Sequence, residues 1–224
     1  MPDSKELFEE FKSVFSGNNS LLDSLFSPFL FLVINSAFGF QPALWASLGI
    51  GVVITVLRLL RRQKAVYALG GLGAALLAIA LSYLFKSAQA FFLPTIINGG
   101  LVTLALLTSI IIKRPAVAFT SALTRRWPLD WYWYTSVRPA YSEVTAIWVV
   151  YSTLKLAVQV FLYKQGSVKG LALFNLIGGW PALILLLVIS YMYGLKRLRD
   201  LKGPSVEEFT QNLPPPWCGQ LRGF

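Results

Sequence analysis

The chain contains no histidine, and only one of its 224 residues, Cys218, is a cysteine. These two residue types supply most zinc and haem ligands and many activated nucleophiles. Zinc sites, ordinary haem ligation, Cys-His catalysis and an intrachain disulfide are therefore excluded or starved of ligands, and no cofactor or metal is expected. Charge is also scarce: Asp, Glu, Lys and Arg make up 13% of the residues, about half the share of a soluble domain. Acidic residues are the scarcer sign, 10 against 20 basic ones. Ten-residue segments of alternating polarity are missing, which argues against a β-barrel. The opening "MPDSKELFEEFKSVF" lacks the basic start of a cleavable signal peptide, so the first apolar segment is expected to remain as an anchor.

What is present is mostly apolar: 55% of the residues are hydrophobic and the mean hydropathy is +0.60. The implied class is all-α, a polytopic membrane helical bundle. A crossing takes about 20 apolar residues, and six segments approach or reach that length: 25–40, 42–60, 65–85, 93–112, 144–163 and 171–194. The expected domains are an N-terminal segment, 1–24, a six-helix membrane domain, 25–194, and a basic, proline-rich tail, 195–224. In the N-terminal segment Leu7, Phe8, Phe11, Val14 and Phe15 recur at helical spacing opposite Glu6, Glu9, Glu10 and Lys12. That pattern predicts an amphipathic helix packed on the bundle or lying on a surface.

Positive charge sets the orientation. Arg58, Arg61, Arg62 and Lys64 join the second and third segments, and Lys113, Arg114, Arg125, Arg126 and Arg138 join the fourth and fifth. Lys196, Arg197, Arg199 and Lys202 follow the sixth, whereas the alternate loops hold only Lys86, Lys164 and Lys169. Both termini are thus expected on the cytoplasmic side. Clustering beside helix ends directs this charge to anionic lipid, not to nucleic acid.

The longest inner loop, 115–142, interleaves Arg125, Arg126 and Arg138 with Trp127, Trp131, Tyr132, Trp133 and Tyr134. Aromatic and cationic side chains together favour the lipid head-group layer, and the same surface suits a protein partner. The tail "GPSVEEFTQNLPPPWCGQLRGF" is too polar to span and reads as extended or disordered, with "LPPPW" as a docking segment. The expected partners are membrane lipids, together with proteins bound through loop and tail, or further copies of the chain.

One spanning segment carries a charge. Lys155 stands near the middle of "WVVYSTLKLAVQVFLY", where a cation costs about 2.5 to more than 10 kcal/mol unless it finds water or a partner. Tyr151, Lys155 and Gln159 recur every four residues and share a face. With a rise of 1.5 Å per residue, Lys155 lies about 12 Å below the outer end of its helix. By the same count Gln159, Asn35, Asn98 and Asn175 lie about 6 to 8 Å inside. These residues form one expected polar layer, beside Gly39, Pro42, Pro94, Gly178, Gly179 and Pro181, where broken helices free carbonyl groups. The layer is either a structural cluster or a ligand or ion site.

Several stretches carry a family likeness. "FFLPTIINGGLVTLALLTSIIIKRPAVAF", "RPAYSEVTAIWVVYSTLKLAVQVFLY", "GWPAL" and "LRLLRRQ" resemble an uncharacterised bacterial inner-membrane family of about six helices, itself distantly similar to intracellular septation protein A. The resemblance covers residues 27–194. It implies a multi-pass protein of the bacterial inner membrane, or of an internal membrane derived from it, and at most a link to envelope organisation or division. It brings no catalytic residue.

Two functions follow. The first is a non-enzymatic scaffold or subunit that organises envelope components or a membrane complex. The second is a small transporter or channel in which Lys155 attracts an anionic solute or a lipid head group. An enzyme is disfavoured, since intramembrane hydrolases need a Ser-His pair, paired aspartates or a metal.

Overall fold

Prolines set most helix starts and basic residues set many helix ends. The computed structural model describes residues 34, 38–60, 65–220 and 223–224. Within them α1 spans Phe40–Leu60 and α2 spans Ala65–Leu84, and a 3-10 turn, Ala88–Phe92, runs into α3, Leu93–Ile111. Two short helices follow, α4 over Ala116–Arg125 and α5 over Leu129–Tyr132, and then the long α6, Arg138–Lys164. The chain continues through α7, Val168–Ile177, α8, Trp180–Leu201, and α9, Val206–Thr210. No strand occurs among the described residues.

Pro42, Pro94, Pro139 and Pro181 fall in the first turns of α1, α3, α6 and α8, where a missing N–H leaves no bond unmade. At the other ends Lys86, Lys113, Arg126 and Lys202 take positive φ, between 48° and 58°, just beyond α2, α3, α4 and α8. That left-handed stop usually belongs to glycine. A cation there meets the negative end of the helix dipole, which offsets part of a backbone cost of about 1–2 kcal/mol.

Three helical stretches among the described residues are long and apolar enough to cross a membrane: Ala88–Ile111, Arg138–Lys164 and Val168–Leu201. This is a membrane protein of the all-α class. The expected spans at 42–60 and 65–85 are helical, with shorter apolar stretches at Gln41–Leu57 and Ala75–Leu84. The N-terminal amphipathic segment, nearly all of the span expected at 25–40, and Arg61, Arg62 and Lys64 lie outside the described residues.

The sixth expected span, 171–194, is not one helix. It is α7 and α8, separated at Gly178 and Gly179. A Cβ on Gly178 would stand 2.8 Å from the Phe174 carbonyl oxygen, and one on Gly179 would stand 2.7 Å from that of Asn175. The backbone closes on itself there so tightly that only glycine fits.

The chain forms two compact units. One comprises residues 99–155 and 183–224, and its core gathers Ala118, Ala122, Trp131, Tyr132, Val137, Ala140, Tyr141 and Leu198. The other takes in the described residues up to Asn98 together with 156–182. Its core is smaller, built from Ala43, Leu44, Ile79, Phe92, Leu171 and Ala172.

Candidate functional site

The most developed side-chain constellation lies in the first unit, where the aromatic loop and the C-terminal segment close over the start of α6. Pro128 opens α5 and turns Trp131 and Tyr132 inward, and both are completely buried. Tyr141 enters from α6, and its ring meets those of Trp131 and Tyr132 edge-on at 6.1 and 4.9 Å. Edge-to-face contacts place the positive rim of one ring on the negative face of the next. The Tyr132 hydroxyl pairs with Ser121 Oγ at 3.0 Å. Burial raises the Tyr132 hydroxyl above its usual range, against the opposing effects of that hydrogen bond and of Arg125.

The C-terminal segment completes this core. Trp131 Nε1 donates to the Pro204 carbonyl at 2.9 Å, and Arg125 Nε donates to the Phe224 carbonyl at 3.0 Å. The Phe224 ring stacks on Tyr141, while Phe209 and Trp217 flank Tyr134 at 6.0 and 5.7 Å. Within the segment Ser205 caps α9 by accepting from the Glu208 amide, and Glu208 accepts from the amides of Ser205 and Cys218. These amide bonds hold the Glu208 carboxyl below the usual carboxylate range. An extended or disordered tail was the expectation from composition. The segment is instead ordered, because its aromatic residues and carbonyls match the loop.

The surface reading of Trp131 is corrected by the same contacts. With no exposed surface and its indole N–H spent on Pro204, Trp131 is a core residue and touches neither lipid nor partner. Trp127 and Trp133 are half-buried, with the Arg125 and Arg114 guanidinium groups 5.1 and 4.4 Å from their ring centres. Arg126 is exposed and Arg138 half-buried. Below the loop, Glu143 of α6 receives a two-pronged bond from Arg197 of α8, 2.8 Å from Nε and 2.9 Å from Nη2, and a third from the Tyr193 hydroxyl. Sequence reasoning used Arg197 only as a topology signal and assigned no role to Phe224 or Glu208. The one legible cue was the "SVEE" capping pattern.

Of the expected polar layer, the structure brings one pair together. Gln159 is 1% exposed, and its Nε2 donates to Asn175 Oδ1 at 2.6 Å. Asn175, three residues before the Gly178 break, in turn donates from Nδ2 to the Leu171 carbonyl at 2.9 Å. Gln159 Oε1 has no partner among the described residues. Asn98 is exposed and takes no part in this bond, and Asn35 lies outside the described residues. Lys155 and Tyr151 are half-buried in the other unit.

A family model matches residues 15–200, nearly the whole membrane region and the aromatic loop. The chain belongs to the DUF3159 family. DUF3159 is described as a protein of unknown function, which agrees with the uncharacterised family the sequence resembles. The match carries nothing about septation protein A. The aromatic loop lies within the DUF3159 region, and the segment that covers it, from Gly203 onward, lies beyond. Neither a curated protein nor a solved structure matches the chain.

Proposed function

We propose that this DUF3159 protein is a non-enzymatic membrane scaffold, holding a fixed, folded cap beside the bilayer on which other membrane components assemble. One observation carries the reading: Tyr134 is clasped between Phe209 and Trp217, so the exposed stretch between them, Gln211 to Pro216, is held at both ends. Leu213 is pinned further by Trp217 Nε1, which donates to its carbonyl at 2.9 Å. A proline-rich segment fixed before a partner arrives loses little entropy on binding, the usual basis of recognition by aromatic-lined grooves.

In this proposal six helices cross a bacterial inner membrane with both termini inside. The cap then faces the cytoplasm, the N-terminal segment lies along the same surface, and the role is in envelope organisation. The test is co-purification from native membranes. Changing Pro214, Pro215 and Pro216 together to alanine leaves the clasp in place and is expected to release bound protein. Partners that persist through that change overturn the reading.

A second reading, a small transporter or channel for an anionic solute, draws on the Gln159–Asn175 bond beside a broken helix. Among the described residues Lys155 has no ion pair, and it lies one turn before Gln159 on the same helix. Anion flux in proteoliposomes that vanishes in Lys155→Met would favour this reading over the scaffold.

A further inference from the structure

Helix α4 turns one side into the cap and leaves the other uncovered. Ala118, Ser121 and Ala122 are buried, whereas Phe119 is 41% and Leu123 82% exposed, one turn apart on the opposite side. The threonines of the uncovered side turn their donors onto the helix. Thr120 Oγ1 donates to the Val117 carbonyl and Thr124 Oγ1 to the Thr120 carbonyl, both at 2.9 Å. Their donors are satisfied within the helix, which lowers the cost of moving the outer side into a medium poor in hydrogen-bonding partners. From Ala116 to Thr124 the helix carries no charge, unlike the solvated side of an ordinary surface helix.

Charge gathers at its ends instead. Lys113 and Arg114 precede α4, and Arg125 and Arg126 close it, while Asp130 is the single acidic residue between Lys113 and Arg138. Just before α4, the end of the apolar α3 exposes Ile111 and Ile112, at 77% and 60%. The uncovered side of α4 thus follows directly from the end of a spanning helix. Phe119 also packs against Trp133 at 5.2 Å, and Trp133 lies under Arg114, an arrangement of apolar, aromatic and cationic groups suited to the head-group layer.

We propose that α4 is an interfacial helix, with Phe119 and Leu123 embedded in the acyl edge of an anionic leaflet and Arg114 and Arg126 on the lipid phosphates. Helices of this type enter the head-group and acyl boundary by about 5–10 Å. This goes beyond the scaffold reading, since it concerns what lies under the cap and not what binds its proline segment.

The test places a nitroxide at Leu123→Cys, and separately at Phe119→Cys, in the full chain carrying Cys218→Ser. Each protein is reconstituted once in zwitterionic vesicles and once in vesicles containing phosphatidylglycerol, with a label at Glu207→Cys as the aqueous reference. Collisions with dissolved oxygen are expected to exceed those with a water-soluble nickel chelate at 119 and 123, and the order is expected to reverse at 207. Nickel access at 119 and 123 equal to that at 207 in both lipids overturns the proposal and leaves the uncovered side to a protein partner. Adding Arg114→Gln and Arg126→Gln is expected to make the label shallower only where phosphatidylglycerol is present. An unchanged depth there overturns the role given to the two arginines.

Discussion

The ring of Phe224 lies flat on the ring of Tyr141, with centroids 4.4 Å apart and planes 7° from parallel. Gly194 makes room for this stack: a Cβ on that residue would fall 2.3 Å from two carbons of the Phe224 ring. Gly194→Ala is therefore expected to expel Phe224 without removing any side chain from the core. Phe224→Ala should cost about 1–2 kcal/mol, from the ring pair and partial burial. Limited proteolysis at Phe209 and Trp217 reads both changes as faster cleavage. Equal cleavage rates in Gly194→Ala and the parent chain would show that the stack does not hold the segment.

Trp131 joins two segments through a single donor. Trp131→Phe keeps most of the apolar contact and leaves the Pro204 carbonyl unpaired, a loss of about 1–3 kcal/mol. Trp131→Ala also empties a buried ring site and is expected to cost about 3–5 kcal/mol. Thermal unfolding in detergent should rank the parent chain above Trp131→Phe, and Trp131→Phe above Trp131→Ala.

Glu208 is expected to make closure of the C-terminal segment sensitive to acid. Its carboxyl is held below the ordinary carboxylate range in the folded chain, chiefly by the amides of Cys218 and Ser205. The contribution is therefore complete above the ordinary range and is lost as pH falls from there through the lower pKa of the folded chain. Hydrogen-exchange protection of the Cys218 amide is expected to persist at neutral pH and to fall only in acid below the ordinary carboxylate range. Glu208→Gln should show reduced protection that no longer changes with pH. An acid loss of equal size in both proteins would place the sensitivity elsewhere.

The Gln159–Asn175 bond is apolar-replaceable as a pair but not singly. Asn175→Leu leaves the buried Gln159 amide unmatched and Gln159→Leu leaves the half-buried Asn175 with only its bond to the Leu171 carbonyl, whereas the double change removes both groups. Hydrogen bonds between membrane helices average about 0.6 kcal/mol and reach about 1.7 kcal/mol in double-mutant cycles. Unfolding in mixed micelles should show the double variant at least as stable as either single one. A double variant less stable than both would mean that the pair also holds something else.

How far the sequence revealed these features depended on the range of the forces involved. Apolar length, a local signal, located α3 and α6, whereas Pro94 and Pro181, read as breaks in the helices, stand in the first turns of α3 and α8. Gly178 and Gly179 were visible as weak points, but hydropathy runs straight across them, so one span was expected where two helices stand. The cap was the least legible. Trp131 and Pro204 are 73 residues apart, and an indole suits a head-group layer as well as a buried core. Composition records that the aromatic residues are present but not which face meets which. Gln159 and Asn175 were grouped from a nearly constant helical rise and do share a hydrogen bond, whereas the same count could not show that Asn98 is exposed and outside it.

The bond between Trp131 and Pro204 also fixes an order of events during synthesis. A ribosome adding roughly 5–20 residues per second needs about 4–15 s to make the 73 residues between them. During that interval Trp131 and Tyr132, and after them Tyr141, wait for their C-terminal cover while α6 and α8 are made. The nascent loop therefore waits, sticky and half-built, beside a membrane under construction. Closure comes last, as a latch that can shut only after both helices have been made.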